Sequence, residues 1–292
     1  MQKRITTIDI VIYIVAGAIG MLCILPILNT LALSLSSSTQ AMAGKVGFWP
    51  KDFTLEAYKF VMSDQQFYAS FFTSIKRVLL GGILNFVMMV LAAFPLSHSE
   101  KSFRGRNMYM WLLIFTMLFN GGLVPTYIVV SQLGLMDSLW ALILPGAVPI
   151  WNCILLMNFF KNLPDELEEA SFIDGAQPVQ ILVSIYLPIS LPALATVILF
   201  SLVGHWNEFF SGMIYMNSAQ NYPLATYIST MVNITKDLST ITDPDELQTL
   251  MKTSDTTVNS AKIFISMVPI LIVYPFVQKY FVTGLVVGSV KE

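Results

Sequence analysis

The residues best equipped for chemistry stand together in an apolar stretch, at His205-Trp206-Asn207-Glu208. On a helix His205 and Glu208 lie three apart and share a face, a spacing that fits a proton relay. A titratable group inside an apolar run is expensive and marks function by default. Three readings stay open: a relay, the lining of a transport pathway, and a structural pairing with a neighbour. Trp206, Phe209 and Phe210 interleave with these polar groups. Aromatic faces beside hydrogen-bonding groups suit sugar rings, and they suit membrane packing equally well. Asn120-Gly121-Gly122 and Trp151-Asn152 repeat the idea more weakly, because glycines allow close helix approach and asparagines bond a partner helix or a solute. The sequence contains no G-x-x-x-x-G-K-[ST] phosphate loop, no H-E-x-x-H and no G-x-S-x-G. With only His98 and His205, a histidine metal cluster is not expected. Cys23 and Cys153 both sit in apolar runs and read as small hydrophobes. The chain is not expected to be an enzyme by itself.

The densest charge lies elsewhere, within residues 163–192. Pro164 suits the first turn of a helix, and Asp165, Glu166, Glu168 and Glu169 then favour the positive end of its dipole. Leu163, Leu167 and Ala170 give that helix a small apolar side. Asp174-Gly175 is a turn signal that stops it. Pro178 opens a second segment of apolar composition, punctuated by Pro188 and Pro192. The spacing predicts a short amphipathic helix, a glycine turn and a return to an apolar environment.

The elements that must position these residues are set by composition. The chain has 292 residues, 55% of them hydrophobic and 12% charged, with a mean hydropathy of +0.68. Soluble domains carry about 25% charged residues. The expectation is an all-α integral membrane protein forming a single membrane domain, with six spans near 8–35, 67–96, 107–130, 139–160, 192–216 and 261–281. The first run has a cleavage-like Ala41-Met42-Ala43 after it, but it is longer than a signal-peptide core and reads as a retained span. Pro145 and Pro149 in the fourth run, and Pro269 and Pro275 in the sixth, imply broken or kinked helices, which either line a cavity or pack on protein. The charge balance of -2 points to no nucleic-acid partner.

Orientation follows from the basic residues. With the N-terminus inside, Lys3, Arg4, Lys101, Arg104, Arg106, Lys161, Lys279 and Lys291 fall inside. Lys45, Lys51, Lys59, Lys76, Arg77, Lys236, Lys252 and Lys262 then count outside, which is a tie. Restricted to the first span and short loops, the count favours both ends inside, since 97–106 is basic and 132–137 is not.

Glu169-Ala170-Ser171, three residues, Gly175, and then Leu187-Pro188 resemble the Glu-Ala-Ala coupling loop of importer-type ABC permeases, with Ser171 replacing a small alanine. Phe48-Trp49-Pro50 with Phe53-Thr54-Leu55, Trp206-Asn207-Glu208-Phe209-Phe210 and the glycine-punctuated tail from Gln278 resemble sugar permeases of the maltose type. Residues 119–127, Phe-Asn-Gly-Gly-Leu-Val-Pro-Thr-Tyr, resemble the subgroup that imports oligosaccharides from complex polysaccharides. The resemblance implies a six-span permease subunit in the bacterial cytoplasmic membrane. Its implied partners are a second, usually non-identical permease, an ATPase dimer holding ATP and Mg, and an extracellular solute-binding protein, so no cofactor is expected in this chain. It further implies that Glu168, Glu169, Ala170, Ser171, Asp174, Gly175 and Ala176 couple to the ATPase, with Gly288 and Lys291 of the tail touching it too. Asn120, Trp151, Asn152, Trp206, Asn207, Glu208 and Phe209 are the pathway candidates. A proton-coupled carrier using His205 and Glu208 is the rival reading.

Overall fold

The computed structural model describes residues 7–233 and 256–289, and the chain divides into two compact units. Among the described residues all regular structure is helical.

The first unit comprises residues 1–68 and 228–269. Its α1 (Thr7–Ser34) is predominantly apolar, and its window Ile8–Ser34 is long enough to cross a bilayer. Short helices α2 (Ser38–Met42) and α3 (Glu56–Ser63) follow. The segment is tied back by Ser34 Oγ to Tyr58 Oη at 2.8 Å and by Asn29 Nδ2 to the Gly47 carbonyl at 2.7 Å. Asp64 does two tasks. Its Oδ1 caps the next helix by accepting from the backbone N–H of Gln66 and Phe67, and its Oδ2 pairs with Lys262 Nζ at 2.9 Å. Lys262 is 1% exposed, so this partner makes its burial tolerable.

The second unit comprises residues 69–227 and 270–292. Most of α4 (Gln65–Ser97) lies here, together with α5 (Arg106–Leu118) and α6 (Leu123–Gln132). Helix α7 (Leu139–Ile143) runs into a 3-10 turn at Leu144–Gly146 and is followed by α8 (Ile150–Lys161). After α9 (Asp165–Ile173) come α10 (Pro178–Ile181), a π turn at Leu182–Tyr186 and α11 (Leu187–Ile189). Then follow α12 (Leu191–Asn207) and α13 (Phe210–Tyr215). Like α4, two further helices have residues in both units, α14 (Leu224–Asn233) and α15 (Thr256–Ser289). The core is one stripe per helix: Met89, Ala93 and Leu96 of α4 meet Cys153, Leu156, Met157 and Phe160 of α8, with Leu194 and Val197 of α12. That i, i+3, i+4, i+7 spacing puts each set on one face.

Among the described residues three helices are long and apolar enough to cross a membrane, and three bent pairs pass the same test together, giving up to six if each pair is one span. The bends have local causes. Residues 107–130 read as one run, yet α5 and α6 are bent by 111°, because Gly122 sits at φ +92 and the Asn120 side chain accepts its N–H at 2.9 Å. Helices α7 and α8 are bent by 47° around Pro145 and Pro149. Pro188 has no N–H to give Ser184, and the turn before it is widened to π. The segment Pro178–Ile189 then meets α12 at 86°. By contrast α15 stays helical through Pro269 and Pro275.

Candidate functional site

Two polar clusters, both within the second unit, collect most of the candidate residues. The first is built around the helix breaks. Helix α12 ends at Asn207 and α13 begins at Phe210, so the Glu208 carbonyl has no place in a helix ladder. Arg77 of α4 supplies the missing donors: Nη1 donates to the Glu208 carbonyl at 2.8 Å, and Nη2 pairs with Glu208 Oε2 at 2.5 Å. Nη2 also reaches Ser211 Oγ at 3.1 Å and the last-turn carbonyl of Leu142 at 3.4 Å. The Glu208 carboxylate also accepts from the Ser211 N–H at 2.8 Å and from its hydroxyl. One guanidinium therefore fastens both broken helices to α4, a task suited to its five donors in a planar fork.

Two turns further along α4, Asn85 does the same for the α7–α8 break. Its amide donates to the carbonyls of Gly146 at 2.8 Å and Ala147 at 2.9 Å. Its Oδ1 is left to accept from His205 Nε2 at 2.8 Å. Between these residues lies Gly81, where a Cβ would come within 2.6 Å of the His205 ring. The glycine is what lets the imidazole reach Asn85. Arg77, Asn85, Asn152, Ser201, His205 and Glu208 line one cavity of about 480 Å³, walled by Pro145, Pro149 and Phe200.

The second cluster is at the other end of α4. Helix α9 starts after Pro164, which sits at the N-cap rather than inside the first turn. It ends in a Schellman arrangement, in which the Ala176 N–H reaches the Ser171 carbonyl at 2.9 Å and the Gly175 N–H reaches that of Phe172 at 3.1 Å. Gly175 has φ +80, which is why this position takes glycine. Leu163 and Ala176, flanking the helix, pack on the core. Between them Glu168 turns inward: Oε1 meets His98 Nε2 at 2.9 Å and Oε2 accepts the Tyr186 hydroxyl at 2.7 Å. Glu169, Ala170 and Asp174 are exposed, and so is Ile173 at 86%. Ser171 is half-buried, its hydroxyl donating to the Leu167 carbonyl at 2.7 Å.

The sequence-derived candidates thus separate. Asn152 is buried and donates to Ser201 Oγ at 3.1 Å and the Val197 carbonyl at 3.2 Å, joining α8 to α12. Trp151, its neighbour, is exposed. Trp206 packs edge-on against Phe71, and Asn207 and Phe209 are exposed beside the break. Asn120 shapes the α5–α6 turn. His205 and Glu208, paired by spacing in the sequence, take different partners, Asn85 and Arg77. Lys291 lies outside the described residues, as does most of the 217–259 stretch, and of Gly288 only the helical backbone is described. Arg77, Asn85 and Tyr186 were not singled out by sequence. The signal for Arg77 was a cation within an apolar run, which requires an opposite charge somewhere in the fold.

A third polar site fixes a loop. Asp137, at φ +57, accepts from the N–H groups of Asn217 and Ser218 at 3.1 Å each and from the Ser218 hydroxyl at 2.7 Å. These bonds, the Ser218 hydroxyl first among them, hold its carboxyl down from the ordinary 3.8 to about 2.

Comparison with known proteins places this geometry. Residues 67–287 match the family described as binding-protein-dependent transport system inner membrane component. A Bacillus subtilis polygalacturonan/rhamnogalacturonan transport system permease protein is 36% identical over 291 residues, covering 100% of both chains. Protein LplC of the same organism is 41% identical over 275 residues, covering 94% of this chain and 92% of its own. A crystal structure of a bacterial ABC transporter involved in importing the acidic polysaccharide alginate contains a chain that superposes with TM-score 0.84 at 31% identity, covering 96% of this chain and 99% of that one. With its apolar helices, its breaks and its acidic connecting helix, this chain belongs to the family of inner-membrane components of binding-protein-dependent transport systems.

Proposed function

We propose that this chain forms part of the membrane pathway of an ATP-driven importer of oligosaccharides and couples it to a separate ATPase through α9. The observation that carries the coupling role is the one-sided engagement of that helix: Glu168 is held inward, while Glu169, Ala170 and Ile173 stand exposed. An acidic, small and apolar strip of this kind suits a groove on a second protein. The solute class is proposed from relatives named for polygalacturonan, rhamnogalacturonan and alginate.

The partners in this reading are a second, non-identical permease, an ATPase pair that holds ATP and Mg, and an extracellular solute-binding protein. Both termini and α9 face the cytoplasm, and the tail with Gly288 and Lys291 reaches the ATPases. The 34–66 and 217–259 stretches meet the binding protein. Closure of the ATPases moves α9, and the helices attached to it rock between inward-open and outward-open arrangements. Asn152 and Glu208, which line the cavity at the helix breaks, border the pathway, and Asn120, Trp151, Trp206, Asn207 and Phe209 are assigned to its margins. Broken helices are tolerated at membrane depth where they line such a space. The proton-carrier reading is not retained, because His205 and Glu208 are each engaged by other side chains.

The test is uptake in vesicles holding the whole complex. Uptake is expected to require ATP and to ignore an imposed proton gradient. Gly175→Pro, which demands φ near -65° where the backbone is at +80, is expected to cut uptake about tenfold or more while the complex still assembles. Unchanged uptake in that variant would overturn the coupling role of α9.

A further inference from the structure

We infer that His98 and Tyr186 are positioning residues for the coupling helix, acting through Glu168, and that the link they form holds one shared proton. The inference rests on the proposed coupling role of α9. His98 follows the last residue of α4, and its Nδ1 lies 2.8 Å from the Phe94 carbonyl. A carbonyl oxygen only accepts, so Nδ1 carries a hydrogen. Nε2 faces Glu168 Oε1 at 2.9 Å, and the other carboxylate oxygen accepts the Tyr186 hydroxyl. With Nδ1 already protonated, the Nε2–Oε1 contact is attractive only when a second hydrogen lies between them. Either the imidazolium donates it or the carboxyl does. Without it, two lone pairs face each other across a contact whose side chains are only 14% and 16% exposed, where water is a poor substitute.

The surroundings hold the ring in place. Phe94 meets His98 edge-on at 4.8 Å between centroids, and Tyr186 stacks on it at 6.2 Å. Phe160 in turn meets Tyr186 edge-on at 5.3 Å. Three elements therefore converge on one carboxylate: the end of α4, helix α9 and the π turn that leads toward α12. A displacement of α9 pulls on the other two. The charged groups lining the same pocket are Arg106 at the start of α5, Lys161 at the end of α8, and Asp165 and Glu169 of α9. They are balanced in sign, so the direct contacts decide where the proton resides.

The experiment reconstitutes the complete complex and measures solute carried per ATP hydrolysed from about pH 6 to about pH 9. The native complex is expected to lose coupling several-fold toward the alkaline end. Glu168→Gln offers an amide that donates to a neutral His98 and still accepts from Tyr186, reproducing both bonds with no shared proton. Its profile is expected to be flat, and the ratio of variant to native at each pH cancels titration elsewhere in the complex. His98→Gln also removes the ring that shares the proton and is expected to flatten the profile. Parallel native and Glu168→Gln profiles would overturn the shared proton. Native-like coupling in Glu168→Ala would overturn the positioning role. Both failures are distinct from that of the coupling role itself, which is read from Gly175→Pro.

Discussion

At the scale of residues, Arg77 carries the largest responsibility. Its side chain is 3% exposed and that of Glu208 is 36% exposed. Replacing Arg77 with Met leaves the Glu208 and Leu142 carbonyls without this donor and the half-buried carboxylate with Ser211 but no counter-charge. Loss of one member of a buried ion pair costs about 3–5 kcal/mol, and the partial exposure of Glu208 places this case near the lower end. Arg77→Met is therefore expected to lower the thermal unfolding midpoint in detergent clearly, with part of the loss restored in Arg77→Met/Glu208→Gln. Asp137 is the opposite case, a surface carboxylate whose work is local. Because folding lowers its pKa, its contribution is complete above the ordinary carboxylate range and fades as the pH falls toward about 2. Proteolysis within 217–222 is expected to stay slow at neutral pH, to accelerate on acidification through that window, and to be fast at neutral pH in Asp137→Asn. Much of the residue scale was legible: the singularity of Glu208 and the turn at Gly175 were readable from residue type alone. The partner of Glu208 was not, because Arg77 lies 131 positions away and a loop-by-loop charge count set it among the outer cations.

At the scale of elements, the adjacent glycines of α4 separate propensity from packing. Alanine in place of glycine gains about 1 kcal/mol inside a helix. At Gly82 the added methyl meets only the flexible end of Leu202, so Gly82→Ala is expected to be neutral or mildly stabilising. At Gly81 it meets the His205 ring, which must swing away and leave Asn85. The lost hydrogen bond and the repacked ring outweigh the propensity gain, so Gly81→Ala is expected to destabilise by about 1–2 kcal/mol in the same unfolding assay. Helix α9 with its acidic start and glycine stop was legible because each signal is local. The 111° turn between α5 and α6 was not. There the apolar composition runs on past Asn120-Gly121-Gly122, and periodicity does not register a change of direction. The prolines behaved unequally for a similar reason. Pro145 and Pro149 flank a break, whereas Pro269 and Pro275 sit inside an unbroken helix.

At the scale of the whole molecule, composition alone identified a membrane protein, and the loop motif identified its kind. What composition could not supply is how the exposed apolar surface divides among lipid and neighbouring subunits. The exposed apolar run of α5, Met108, Trp111, Leu112, Phe115 and Leu118, is a patch of the kind that faces lipid or another chain.

The inward turn of Glu168 has one more consequence. Under the proposed coupling role, the connecting helix is fastened to its own chain by one side and offers the other to the ATPase, so the two sides are free to change independently. Repainting the outer strip at Glu169, Ala170 and Ile173 would let the same channel be driven by a different engine, with its own internal linkage untouched.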